Sequence, residues 1–243
     1  MVYFVSDAHL GSRLEQDPLV RERKFVQWLD FIRKDATTLY LLGDIFDFWF
    51  EYRSVVPKGY TRVLGKLAEM VDSGIDVHFF AGNHDMWTFG YFENEIGMKV
   101  HFKPALVEHG GQSFFLAHGD GLLKNEKRFS ILRKIFHCRF LQQLFRIFPP
   151  LLGQNLGYEW SKKNRIGIMH LDNSYKGEKD EELIVFAKQY IEKNPVNYLV
   201  FGHRHLDIDL RLKNNARVLI LGDFISIYSY AVFDGIEMRL EYF

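Results

Sequence analysis

Tyr198-Leu199-Val200-Phe201-Gly202-His203-Arg204-His205 is a run of four apolar residues that ends in a glycine and two histidines one residue apart. The device recurs along the chain with other polar residues at its end. Leu39-Tyr40-Leu41-Leu42 runs into Gly43-Asp44, and His78-Phe79-Phe80-Ala81 into Gly82-Asn83-His84-Asp85. Ser113 to Ala117 leads to His118-Gly119-Asp120, and Val2-Tyr3-Phe4-Val5 to Ser6-Asp7-Ala8-His9. Short, wholly apolar runs bounded by Gly or Asp predict strands buried on both faces. Open sheets of that kind bind ligands beyond the strand ends. Five ends, each bearing Asp, Asn or His, predict one metal site.

Between these ends the chain alternates helix and strand. Asp17-Pro18 opens a helix, with Asp as N-cap and Pro at the first helical position, and Val26, Leu29 and Ile32 carry it to Lys34. A second helix over Lys58 to Asp72 places Tyr60, Val63, Leu64, Leu67 and Val71 on one face, closed by Gly74. Such β-α-β-α-β order implies parallel strands with right-handed crossovers. From Lys99 strand follows strand: 100–102, 106–108, 112–118 and, after the histidine pair, 208–212, 217–221, 226–233 and 236–242. Asn214-Asn215 and Asp234-Gly235 mark turns. The predicted class is α/β, with two packed sheets and helices outside.

Residues 122–167 fit neither rhythm. Phe129, Leu132, Phe136, Phe140, Leu144 and Phe148 recur at helical spacing, and Ile131, Ile135, Leu141 and Phe145 widen the stripe. Pro149-Pro150 and Gly153 are expected to break it before a further helix from Leu156 to about Met169. The segment holds ten basic residues against Glu126 and Glu159. It predicts a helical insertion within a single 1–243 domain. An amphipathic hairpin packed on the core is the ordinary reading; a basic lid that meets lipid is the other.

Composition narrows the classes. The 243 residues carry 31 basic and 31 acidic side chains, so overall charge points to neither nucleic acid nor membrane. Cys138 is the single cysteine, which excludes an intramolecular disulfide and fits a reducing compartment. A strand from Val2 leaves no room for a leader, and no apolar run is long enough to span a bilayer. The expectation is a cytoplasmic chain.

Mixed carboxylate and imidazole donors suit Mn²⁺, Fe²⁺ or Zn²⁺. A pair of such ions needs a bridging carboxylate, and Asp44, between two other ligand-bearing strands, is the natural one. In Asp-x-His and His-x-His, residues i and i+2 of an extended chain point the same way. Each motif alone is a common turn, and His78, His101, His109, His137 and His170 are read as structural. Five motifs in order are a constellation.

That set, Asp7-Ala-His9, Gly43-Asp44-x-x-Asp47, Gly82-Asn83-His84-Asp85, His118 and Gly202-His203-Arg204-His205, resembles the signature blocks of calcineurin-like metallophosphoesterases. The resemblance implies a four-layer α/β/β/α sandwich with two metals, manganese first and iron or zinc as alternatives. One metal would take Asp7, His9, Asp44 and His205, the other Asp44, Asn83, His118 and His203. His84 would touch the substrate phosphate or assist the leaving group, with Asp85 orienting its ring. Asp120 is read, apart from the resemblance, as steadying a ligating imidazole, with a plain helix start as the other reading. Asp-x-His-Leu-Gly, Asp47-Phe48-Trp49 and His118-Gly119-Asp120 further resemble the branch that cleaves UDP-2,3-diacylglucosamine in the lipid A pathway, which carries an acyl-binding helical cap. That branch implies substrate contacts at Asn83, His84, Glu126, Ser161, Asn164 and Arg165, and a cytoplasmic enzyme peripheral to the inner membrane. It has Arg where this chain has His84, which leaves another phosphodiester or a nucleotide as the alternative substrate. A metal-free binding module on the same fold would lack ligands, and all seven are here. A nuclease would place stacking aromatics between its charges, whereas this stripe is apolar.

Overall fold

The computed structural model describes residues 1–14, 16–122, 136, 138–170 and 174–243, without the side chains of 164–170 and 214. Strands β1 (Val2–Val5), β2 (Thr38–Leu41), β3 (Asp76–Phe80) and β4 (Lys99–His101) pair in parallel. Strands β5 (Ala105–His109), β6 (Gln112–Ala117), β7 (Tyr198–Phe201), β8 (Asp207–Arg211) and β9 (Arg217–Leu221) form a second sheet in the order β5-β6-β7-β9-β8. Its middle three strands are parallel. The antiparallel β10 (Ser229–Phe233) and β11 (Met238–Tyr242) complete the first sheet as β11-β10-β1-β2-β3-β4.

Strand alternation explains why these runs carry no polar face. Phe4, Tyr40 and Phe80 point toward Phe114, Val200 and Leu219 of the other sheet. Their neighbours Tyr3, Val5, Leu39, Leu41 and Phe79 point outward, under helices α1 (Pro18–Ile32) and α2 (Thr61–Asp72). On the second sheet Phe115, Leu199, Phe201 and Ile220 face Leu183, Ile184 and Ala187 of a helix at Glu182–Ile191. The layers are therefore helix, sheet, sheet, helix, and each middle strand is buried on both sides.

Local signals hold where predicted. The Asp17 carboxylate accepts from the Leu19 N–H at 2.7 Å, with Pro18 at the helix start. Helix α2 has no side-chain cap of its own, and Glu22 of α1 accepts instead from the Arg62 and Val63 N–H groups at 3.0 and 3.4 Å. His78 Nδ1 lies 2.9 Å from His101 Nε2, and Tyr40 Oη lies 2.8 Å from His109 Nε2. These histidines are hydrogen-bonded within the fold, as expected; His137 and the His170 side chain lie outside the described residues.

Three expectations change. The strand expected over 226–233 starts at Ser229, because Asp223 Oδ1 accepts from the Ile225, Ser226 and Ile227 N–H groups and folds them into a turn. Nothing was expected of the helix at Glu182–Ile191. Between β6 and β7 lie α3 (Arg139–Ile147) and α4 (Pro150–His170), followed by that helix, α5. Pro149-Pro150 do break the stripe, since α3 ends at Ile147, but α4 starts at Pro150, where a missing N–H costs nothing, rather than at Leu156, and Gly153, read as a breaker, lies inside it. The reason is packing. Gly153, Gly157 and Ser161 are buried at spacing i, i+4, i+8, and Cβ atoms at the two glycines would strike Tyr52 Oη and the Phe48 ring. Close approach to the core outweighs the helix propensity of glycine, about 1 kcal/mol below alanine.

Candidate metal centre

The loops after β1 and β2 run side by side. The Asp7, His9 and Leu10 N–H groups donate to the carbonyls of Gly43, Asp44 and Ile45 at 3.1, 3.0 and 2.8 Å. Asp7 and Asp44 then each spend one carboxylate oxygen on a neighbouring loop. Asp7 Oδ2 accepts from the His203 N–H at 2.8 Å, and Asp44 Oδ1 from the His84 N–H at 2.9 Å. The other oxygens face the histidines: Asp7 Oδ1 is 3.4 Å from His205 Nε2 and Asp44 Oδ2 is 3.4 Å from His118 Nε2. Donor atoms of Asp7, His9 and His205 lie within 4.8 Å of one another, as do those of Asp44, His118 and His203, while His9, Asp44 and His84 join the two groups. Asn83 Oδ1 sits 3.3 Å from His118 Nε2. All seven sequence-predicted ligands are thus brought together.

The backbone bends to do this. Seven described non-glycine residues have left-handed φ, and five are candidate ligands: Asp7, His9, Asp44, His203 and His205. Such conformations cost about 1–3 kcal/mol each and mark functional sites. The adjoining glycines leave space. A Cβ on Gly43 would lie 2.5 Å from His118 Nδ1, one on Gly202 would lie 2.6 Å from Asp7 Oδ2, and one on Gly82 would strike Asp44.

Two of the rings are held by a hydrogen bond at the outer nitrogen. A carbonyl can only accept, so His118 Nδ1–H donates to Leu42 O and His84 Nδ1–H to Asp47 O, both at 2.8 Å. This turns Nε2 of His118 inward, toward Asp44 Oδ2. His9 Nδ1 is 3.3 Å from Asp47 Oδ1, and His205 Nδ1 is 3.6 Å from Asp223 Oδ2. Burial depresses His9 to about 3, and burial with the nearby His118 depresses His203 to about 4. Both are neutral donors at physiological pH. Burial also opposes charge on His118 and His205, but Asp44 and Asp7, respectively, outweigh it and raise both. The charge of Asp120 also favours the protonated forms of His118 and His203.

The donor set fits divalent cations. Asp7 Oδ1 and His9 Nε2 are buried without a hydrogen-bond partner among the described residues, and unpaired buried polar atoms are costly unless something binds them. Carboxylate, amide and imidazole donors are those of Mn²⁺, Fe²⁺ or Zn²⁺.

One sequence reading is corrected and two residues are added. Asp85 does not steady the His84 ring. Its oxygens accept from the Gly82, Asp44, Ile45 and Phe46 N–H groups at 2.7–3.2 Å, locking together the loops after β2 and β3. Burial, then Asp44, pushes it up to about 7. Asp47 and Asp223, which received no role, back His9 and His205. Asp223 follows Val218-Leu219-Ile220-Leu221-Gly222, a sixth apolar run into Gly-Asp, which was signal enough to find it. Among the expected substrate contacts, Ser161 is buried with Oγ 3.1 Å from His84 Nδ1. Glu126 and the side chains of Asn164 and Arg165 lie outside the described residues.

Beside the centre is an apolar pocket of ≈ 430 Å³ lined by Phe50, Trp87, Phe136, Leu144, Phe145, Leu156 and neighbours. Aromatic rings join the two: His84–Trp160 centroids are 5.9 Å apart, Trp160–Phe136 5.1 Å and Phe136–Trp87 5.2 Å.

Residues 1–207 match the family model described as calcineurin-like phosphoesterase. The chain is similar to a protein named UDP-2,3-diacylglucosamine hydrolase from Porphyromonas gingivalis, 44% identical over 99% of this chain and 96% of that one. Proteins of the same name from Neisseria gonorrhoeae and Haemophilus influenzae are 27% and 26% identical, each over 93% of this chain and over 91% and 92% of their own lengths. With five signature blocks converging on one buried cluster of Asp, Asn and His, and a family match across most of its length, the chain belongs to the calcineurin-like phosphoesterases.

Proposed function

We propose that the protein hydrolyses the diphosphate of UDP-2,3-diacylglucosamine, releasing the lipid sugar 1-phosphate and UMP. The observation that carries this reading is the junction of the metal centre with the apolar pocket through His84, Trp160 and Phe136. A diphosphate at the carboxylates and histidines puts acyl chains within reach of the pocket, where each buried methylene contributes about 0.8 kcal/mol. The P. gingivalis relative's name supports the same substrate.

Asp7, His9, Asp44 and His205 would hold one divalent cation, and Asp44, Asn83, His118 and His203 the other, with manganese our first choice. Bound there, the pair supplies Lewis acidity and a water of lowered pKa for attack on phosphorus. Asp47 and Asp223 keep His9 and His205 in place. His84, its Nδ1 proton tied to the Asp47 carbonyl, is fixed where it can meet phosphoryl oxygens or the leaving group. Asp85 sets the register of the loops that carry Asp44 and His84. Arg165 and Asn164 would grip the diphosphate or sugar, as would Glu126.

Helix α3 and most of α4, in the segment 122–167, act in this reading as a cap that meets the inner membrane from the cytoplasmic side. Phe140 and Ile147 are 74% and 81% exposed, and Arg139, Arg146 and Lys163 supply positive charge for anionic lipid. No helix among the described residues is long and apolar enough to cross a membrane.

The test is UMP release from UDP-2,3-diacylglucosamine with Mn²⁺ added and Asp44→Ala as the blank. Release by the wild type alone is expected. Turnover of a generic aryl phosphodiester without UMP release would shift the substrate to another phosphodiester.

A further inference from the structure

Helix α4 separates two cavities, only one of which the acyl chains explain. Leu156 and Trp160, four residues apart, face the apolar side. Leu151, Asn155, Tyr158 and Lys162, at helical spacing, face a second cavity of ≈ 610 Å³ on the other flank. That volume lies in the range of small-molecule sites, about 300–1,000 Å³.

The second cavity opens beside the metal centre. Asp47, which backs His9, forms part of its wall, as do Gly11 and Ser12 just after His9. Its character is opposite to that of the first. Arg13, Lys58 and Lys162 bring three positive charges against Glu159 and Asp47. Tyr60 and Tyr158 meet there with their hydroxyls 3.2 Å apart. Burial raises both phenols, so each stays protonated and able to donate. Asn155 adds an amide. Hydroxyls, an amide and an arginine beside a phosphate-cleaving centre suit the carbonyls of a polar heterocycle and the hydroxyls of a ribose.

We propose that this cavity seats the nucleoside monophosphate end of the substrate, the uridine 5′-phosphate that leaves as product. The assignment rests on the diphosphate-cleavage reading given above and adds its polar half. The substrate then straddles α4 at Ser161, acyl chains on the Leu156 side and nucleotide on the Lys162 side, with the scissile diphosphate beneath the helix at His84.

The test compares UMP with inorganic phosphate as ligands of the Mn²⁺-loaded protein by isothermal titration calorimetry. Both ligands offer a phosphate to the metal centre, so the ratio of the two dissociation constants reads what the nucleoside adds. In the wild type UMP should bind at least about tenfold more tightly, and Arg13→Ala combined with Lys162→Ala should erase most of that ratio while phosphate binding and aryl phosphodiester turnover persist. Tyr158→Phe, a milder change, should lower the ratio by a smaller factor. A wild-type ratio near one, or a ratio unmoved by all three substitutions, overturns the proposal. UDP-2,3-diacylglucosamine turnover by the same preparation separates the two readings. Hydrolysis with a cavity-independent ratio leaves the lipid reading standing and removes the nucleotide seat. A cavity-dependent ratio without lipid hydrolysis keeps the seat and removes the lipid.

Discussion

Phe4 and Phe140 have the same side chain and opposite surroundings. Phe4 is fully buried between the sheets, stacked on Tyr40 and Phe114 at 5.1 and 5.9 Å, and its strand ends in two candidate ligands. Phe140 stands out from α3, and Leu144 and Ile147 one and two turns on are exposed with it. Around the metal centre the unpartnered buried atoms among the described residues are polar: Ser6 Oγ, Asp7 Oδ1 and both nitrogens of His9. On the cap the deficit is reversed, since polar groups are solvated and apolar ones uncovered. The strand ends are built to receive a cation. The cap surface is built to receive something apolar.

Metal removal tests the first half of that contrast and should give the largest effect. Five left-handed ligand residues and the unpartnered Asp7 Oδ1 and His9 Nε2 hold strain that bound cations offset. Free metal at 100 times Kd stabilises by about 2.7 kcal/mol per site, roughly 5–10 °C in Tm for a chain of this size. Thermal unfolding of chelator-treated protein should show such a rise with Mn²⁺ and none with Mg²⁺ at equal concentration, given the imidazole donors. A flat response to Mn²⁺, Fe²⁺ and Zn²⁺ alike would remove the metal reading.

Asp223→Asn is next in size. The carboxylate touches no candidate metal position and acts through His205 Nδ1, 3.6 Å away. Loss of such a partner costs about 10- to 100-fold in metal affinity or activity, measured by competition with a chromogenic chelator. The three N–H bonds to Asp223 Oδ1 can pass to the amide oxygen, so Tm should move much less than affinity. Equal losses in both would make Asp223 a turn residue only.

The sequence made the ligands legible because each lies at the end of a strand whose two faces are both apolar, and that pattern survives without knowledge of packing. It hid what depends on who faces whom. Asp223 has the same Gly-Asp signature as Asp44, but only β9 lying beside β7 brings it to His205. Asp85 beside His84 suggested a partner for the ring, whereas the chain turns its carboxylate toward the Asp44, Ile45 and Phe46 N–H groups. Gly153 reads as a breaker until Tyr52 is placed against it. The helix at Glu182–Ile191 carries Leu183, Ile184 and Ala187 on one face, a short stripe that says little until Phe115 and Phe201 lie beneath it.

Ile147→Ser probes the other half of the contrast with the smallest change. Ile147 is 81% exposed, so its loss from the folded chain should alter stability by no more than about 0.5 kcal/mol. If α3 dips into a bilayer, the same side chain loses up to about 1.5–3 kcal/mol of burial, and partial insertion would leave roughly a tenfold drop in vesicle partitioning. Co-sedimentation with anionic phosphatidylglycerol vesicles reads this directly, with Tm as the control. Salt separates the two parts of the interaction: binding through Arg139 and Arg146 weakens as ionic strength rises, while the difference between the wild type and the Ile147→Ser variant persists. Unchanged partitioning at every salt concentration would mean that the exposed face of α3 meets no membrane, and that its apolar residues serve the pocket side of the cap alone.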